Sequence, residues 1–189
     1  MIILASKSPR RQELMQLIGL DFKVMTEDID ETMDPSLPLK EEIKRVSSMK
    51  AAAVQNACNE DDIIVAADTM VAIDGQRLGK PKTEGDAVRM LKILSGNSHE
   101  VITGLTVMQG ERVEMTSVVT QVAFRELSDD EIKAYVATGE PMDKAGAYAV
   151  QGKGSIFVSG LIGDYFNVMG LPLCTLSGLL RKFGIEILK

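Results

Sequence analysis

The run Ile63-Ile64-Val65-Ala66-Ala67-Asp68-Thr69-Met70-Val71-Ala72-Ile73 is apolar and β-branched over most of its length, and it reads as a central strand of a sheet. Asp74-Gly75 then turns the chain back toward Leu78. Around this strand, helical and strand patterns are interspersed. Ile2 to Ala5 reads as a short buried strand, and Ser8-Pro9 supplies an N-cap and first-turn proline for a helix with the stripe Leu14, Leu17, Ile18, stopped by Gly19. A strand over Phe22 to Thr26 leads through an acidic loop, Glu27 to Glu31, into a long helix from Leu39 to Ala57. Thr83 caps a helix carrying Val88, Leu91 and Leu94 and ending at Gly96. Val101 to Met108 and Val113 to Phe124 form a hairpin around Gln109-Gly110, and Ser128 with Glu131 makes a capping box for a helix ending at Gly139. Gly146 to Gln151 and Ser155 to Val158 read as two short strands, and Pro172 opens a last helix that ends before Gly184. Because hairpins interrupt the alternation, the expected class is α/β with a mixed β-sheet flanked by helices.

Composition narrows the function. With 189 residues, 45% hydrophobic and 25% charged, the chain is expected to form a single domain over 1–189 that needs no staple to stay folded. Lys plus Arg number 21 against 27 for Asp plus Glu, a net charge of −6, which argues against a nucleic-acid binder. No apolar stretch approaches the roughly 20 residues of a membrane span. The opening Met1-Ile2-Ile3-Leu4 has neither a basic leader nor a cleavable apolar core, so the expected compartment is the cytoplasm. Cys58 and Cys174 lie in apolar helical patterns and are expected as buried free thiols, not as a disulfide or zinc pair. The sole histidine, His99, has no nucleophile-elbow motif beside it and reads as structural, and Tyr148 and Tyr165 read as packing residues. With no Trp and 4% aromatics, no broad base-stacking platform is expected.

Three places break the local rules. Lys50 falls on the apolar stripe of the long helix, with Leu39, Ile43, Val46, Ala53 and Ala57, so it either snorkels to an edge or faces a cleft holding an anion. Asp68 interrupts the central strand. Either it is a strand-end Asp bonded to neighbouring backbone, or it is a metal ligand or general base. Ser6-Lys7-Ser8-Pro9-Arg10-Arg11 joins a strand to a helix, where free N–H groups, hydroxyls and two guanidinium groups can converge on a phosphate; a plain N-cap with solvated arginines is the other reading. Lys80 and Lys144 add cations in glycine-bounded loops. Gly75-x-x-x-Gly79-Lys80-Pro81 is too short for a P-loop, and Gly152-Lys153-Gly154 lacks the third glycine of a dinucleotide fingerprint. Local positive charge with an acidic partner in an acidic chain points to a small polyphosphate bound with a divalent cation. Spacing alone does not say whether that polyphosphate is cleaved or only held.

The motifs Ser6-x-Ser8-Pro9-Arg10-Arg11, Asp28-x-Asp30-Glu31, Lys50-Ala51, Ala67-Asp68-Thr69, Gly79-Lys80-Pro81, His99-x-Val101-x-Thr103-Gly104, Glu140-Pro141, Asp143-Lys144-Ala145-Gly146-Ala147-Tyr148, Gln151-Gly152 and Gly170-Leu171-Pro172, in that order, resemble the Maf family nearly end to end. The resemblance implies a nucleoside triphosphate pyrophosphatase with a mixed-sheet α/β fold of two lobes and a central cleft, akin to inosine triphosphatase, and commonly a homodimer. Arg10, Thr69 and Gln151 resemble the branch acting on dTTP and UTP. The branch acting on 7-methyl-GTP has an aromatic, a Gln and a Glu there. A physical rationale runs parallel: the Gln151 amide accepts from a pyrimidine N3–H and donates to O4.

The resemblance implies Mg2+ or Mn2+ at an acidic site including Glu31 and Asp68. Ser8, Arg10, Arg11, Lys50, Thr69, Lys80, Lys144 and Gln151 are then substrate contacts, and Asp68 is the base that activates water. The rival expectation is a nucleotide-binding regulator of cell division with little or no hydrolytic activity.

Overall fold

The computed structural model describes residues 1–34 and 36–188. The strands are β1 (Ile2–Leu4), β2 (Phe22–Val24), β3 (Ile63–Ile73), β4 (Gln76–Leu78), β5 (Ser98–Gln109), β6 (Arg112–Phe124) and β7 (Val158–Ile162). The helices are α1 (Pro9–Leu17), α2 (Leu39–Gln55), α3 (Glu84–Leu94), α4 (Asp129–Val136), α5 (Tyr165–Met169) and α6 (Leu173–Lys182). The sheet runs β2-β1-β3-β5-β6-β7, with β4 paired to β3. It is mixed, as the hairpin signals require: β1 pairs in parallel with β2 and β3, while β4 and β7 pair antiparallel with β3 and β6. Asp74 (φ 48°) and Gly75 (φ 76°) make the tight left-handed turn between β3 and β4.

The chain divides into two compact units. The first comprises Met1–Asp68, Thr103–Val118 and Gly170–Lys189, and the second Thr69–Ile102 and Val119–Met169, so β3, β5 and β6 each contribute residues to both. In the first unit, Ile3 of β1 with the adjoining Ala5, Ala51 and Val54 of α2, Ile64 and Ala66 of β3, and Met108 of β5 form one apolar cluster. In the second, a larger cluster joins α3 and α4 to the aromatic side chains Phe124, Tyr135, Tyr148 and Phe157. There His99 is buried, its Nε2 lies 2.8 Å from the Tyr148 hydroxyl, and its ring packs edge-on to Phe124 at 5.0 Å. It is a packing residue, as its sequence context implies. Burial lowers its pKa to about 4.

Several sequence expectations need correction. The segment 146–151 is not a strand, and of 155–158 only Val158 is, as the first residue of β7: Ala145–Ala147 and Lys153–Phe157 are short 3-10 turns. Gly146 (φ 70°), Ala147 (φ 60°) and Gly152 (φ 128°) take left-handed backbone that no strand accommodates. The strand lies further on, at β7, where Ser159 and Gly160 dilute the β signal. The α1 stripe is Arg11, Leu14 and Met15, whereas Leu17 is exposed. Helix α2 buries Ile43, Val46, Ser47, Ala51 and Val54, so its inner face is rotated from the expected stripe, and Ala57 lies beyond its end and exposed. Both cysteines are free, but Cys174 is exposed and Cys58 only half-buried. Tyr165 is also largely exposed, stacking edge-on with Phe166.

Candidate active site

The position of Asp68 follows from strand alternation. Residues 64, 66 and 68 share one face of β3. Ile64 and Ala66 on that face pack with Val54 and Ala51 of α2. Continuing along both elements, Asp68 meets Lys50, whose Nζ donates to Asp68 Oδ1 at 2.6 Å. A second carboxylate, Glu31 Oε1, lies 3.0 Å from the same Nζ. The Lys50 and Asp68 side chains are 16% and 14% exposed, whereas that of Glu31 is 57% exposed. Lys50 therefore neither snorkels outward nor waits unpaired. Close approach of α2 to the sheet makes this contact, and Gly104 of β5 permits the approach: a Cβ there would lie 2.2 Å from the Ile43 carbonyl oxygen. The His99-x-Val101-x-Thr103-Gly104 motif thus works through backbone clearance and packing.

Glu31 is held by a feature the sequence reading missed. Glu42, fully buried in the first turn of α2, accepts from the Asp34 N–H at 2.7 Å and from Arg45 Nε at 2.9 Å. Arg45 Nη2 also donates to the Thr32 carbonyl at 3.1 Å. This pair, with its carboxylate buried and its guanidinium partly exposed, ties residues 32–34 to α2, which also carries Lys50. An i, i+3 Glu-Arg pair reads as ordinary helix-surface decoration, so only the burial of Glu42 and its bond to the Asp34 N–H reveal the role.

The strand-to-helix turn before α1 is more structural than expected. Ser8 occupies the N-cap position, but its hydroxyl makes no capping bond. Ser6 is buried, and its Oγ accepts from Arg11 Nη1 at 3.1 Å and from the Ser8 N–H at 3.3 Å. Arg11 is buried, with its Nε donating to the Gly170 carbonyl at 2.7 Å, so part of its fork pins the chain just before α6. Burial lowers the pKa of its guanidinium, and the Asp68 and Glu31 carboxylates act in the opposite direction. Arg10 is half-buried on the same turn.

The other expected contacts belong to the second unit. Thr69 is half-buried in β3, next in the chain after Asp68. The Gly146 N–H donates to the Gly79 carbonyl at 3.1 Å, which joins the loop carrying Lys80 to the turn carrying Lys144. Lys80 is exposed, whereas the Lys144 side chain is 13% exposed and its Nζ donates to the Glu140 carbonyl at 2.8 Å. Gln151 is exposed.

The donor chemistry fits a hard divalent cation. Two carboxylates already share one positive charge, and among the described residues no group of three or more His, Cys, Asp or Glu side chains stands ready to ligate. Such a donor pair suits Mg2+ or Mn2+, which complete their shells with phosphate oxygens and water.

The chain is 48% identical over 189 residues to a dTTP/UTP pyrophosphatase of Desulforamulus reducens, covering 98% of each protein. It is likewise 48% identical over 196 residues to a dTTP/UTP pyrophosphatase of Acetivibrio thermocellus, covering all of this chain and 98% of the relative. Among solved structures, the Staphylococcus aureus Ham1 protein superposes with a TM-score of 0.53 at 16% identity, covering 96% of this chain and 98% of that one, a likeness of fold alone. No helix among the described residues is long and apolar enough to cross a membrane. The family model for Maf-like proteins matches residues 1–183, and with relatives of this similarity over their full length, the chain belongs to the Maf family.

Proposed function

We propose that this chain hydrolyses dTTP and UTP, normal or modified, to the nucleoside monophosphate and pyrophosphate, and so clears unwanted pyrimidine nucleotides from the pool. The observation that carries this reading is the Lys50 ammonium bound between Asp68 and Glu31, with Asp68 inside an otherwise apolar strand. A triphosphate gives that ammonium new acceptors, which frees Asp68 Oδ1 to take a proton from water. The water oxygen bonds to the α-phosphorus, the bond from that phosphorus to the bridging oxygen breaks, and pyrophosphate leaves. Arg10, Arg11, Lys50, Lys80 and Lys144 offset the phosphate charge, with Ser8 and Thr69 as hydroxyl donors and Gln151 on the base. Glu31 and Asp68 would hold Mg2+ or Mn2+, and the ion would supply charge stabilisation to the triphosphate.

The reading extends to one functional domain over 1–189, acting as a cytoplasmic homodimer without nucleic-acid or membrane partners; light scattering should give twice the chain mass. The deciding experiment is pyrophosphate release over a nucleotide panel. Expected is release from dTTP and UTP above the purine nucleotides, with a monophosphate product and loss of activity in chelator. Orthophosphate with a diphosphate product, or a melting shift with dTTP without any release, overturns it.

A further inference from the structure

The Glu140 carboxylate accepts three hydrogen bonds, and no step above uses it. Its Oε1 accepts from the Tyr135 hydroxyl at 2.8 Å and the Gly154 N–H at 3.1 Å, and its Oε2 accepts from the Lys153 N–H at 3.0 Å. The Tyr135 oxygen in turn accepts from the Ala149 N–H at 3.1 Å. The segment 149–154 is thus tied at both ends to one Tyr-Glu pair, with Gln151 exposed between the ties. Gly152 closes down on the pair: a Cβ there would lie 2.9 Å from both Glu140 carboxylate oxygens, and its φ of 128° excludes other residues. The main-chain carbonyl of Glu140 also receives Lys144 Nζ at 2.8 Å. Burial pushes the Glu140 carboxyl up, but the Gly154, Lys153 and Tyr135 donors outweigh it and the net displacement is downward, so the group is a fixed anion.

We propose that Glu140, through the bonds of its carboxylate to Tyr135, Lys153 and Gly154, is the positioning residue that presents Gln151 to the pyrimidine base. The inference rests on the pyrimidine triphosphatase reading. A loop of backbone with two glycines has no intrinsic reason to hold one shape, and a charge-assisted clamp at both ends supplies it. Glu140 does not touch the substrate. Its effect therefore passes through Gln151 and shows as lost discrimination.

The test combines kinetics with hydrogen exchange on Glu140→Gln, Gln151→Ala and the double variant. Glu140→Gln keeps the side-chain size, exchanges one acceptor oxygen for a donor facing N–H groups, and should speed exchange of the Lys153 and Gly154 amides about tenfold while distant amides stay protected. Its KM for dTTP should rise about tenfold, with kcat changed less than threefold, and its preference for dTTP over purine triphosphates should fall. In the double variant the loss should match that of Gln151→Ala alone, because the clamp has nothing left to position. Additive losses, an equal loss for every nucleotide, or unchanged exchange at 153 and 154 would overturn the proposal. Tyr135→Phe, which leaves the carboxylate in place, provides a second variant if Glu140→Gln fails to fold; its selectivity must fall in the same direction. A wild-type chain that releases no pyrophosphate while keeping protected 153 and 154 amides would instead overturn the substrate reading, and the selectivity role with it.

Discussion

Asp68 would be an expensive residue in its strand if it were idle, since an ionised carboxylate among apolar side chains requires a compensating charge. Lys50 supplies that charge at 2.6 Å. Asp68→Asn should therefore leave the fold and nucleotide binding in place while turnover falls by at least about 100-fold, the loss typical of a missing general base. Near-normal pyrophosphate release from that variant, with binding checked by calorimetry, would remove Asp68 from the mechanism. His99 makes a separate prediction. Its ring is kept neutral by burial, with a pKa of about 4 against 6.5 for an ordinary histidine. The unfolded chain then binds a proton between those values that the folded chain refuses, so stability is full above pH 6.5 and falls as pH drops toward 4, by up to about 1.4 kcal/mol per unit. Urea unfolding at pH 7, 6 and 5 should show this loss in the wild type, over and above whatever slope remains in His99→Gln. Of the individual residues, Lys50 and Asp68 were legible because each violates the pattern around it. Glu42 and Glu140 were not, since their importance lies in backbone N–H partners that only the folded chain brings to them.

At the scale of elements, the close seating of α2 on β5 decides whether Lys50 meets Asp68. Gly104→Ala places a methyl against the Ile43 carbonyl and should destabilise the chain by about 1–3 kcal/mol or more. The displaced helix should also lower turnover, and a thermal melt beside a steady-state assay separates the two effects. Elements with strong local signals were legible: β3 over Ile63–Ile73, the α3 cap in which Thr83 accepts from the Asp86 N–H, and the capping box of Ser128 and Glu131. Those set by tertiary contact were not. The turns at 145–147 and 153–157 carry apolar residues with a strand-like rhythm, and only the left-handed backbone at Gly146, Ala147 and Gly152 removes them from the sheet. The α2 stripe was misplaced because Ser47, polar by type, turns inward to share a hydrogen bond with Thr106 at 2.7 Å.

On the scale of the whole molecule, buried apolar side chains supply the cohesion and no disulfide is involved. Both cysteines are free. Adding a reducing agent should leave the melting temperature unchanged, and a thiol reagent should modify the exposed Cys174 well before Cys58, whose thiol pKa is raised by burial. A drop in melting temperature on reduction would show a cross-link. The order of the fold has one further outcome. Arg11 near the start of the chain bonds to the carbonyl of Gly170, 159 residues later, and the unit that carries Lys50 and Asp68 is assembled from three separated stretches. During synthesis, the residues that arm the acid leave the ribosome well ahead of the stretch from Gly170 that completes their surroundings. A nascent chain therefore carries Lys50 and Asp68 long before it can use them, and products terminated ahead of Gly170 should be harmless to the cell's nucleotides.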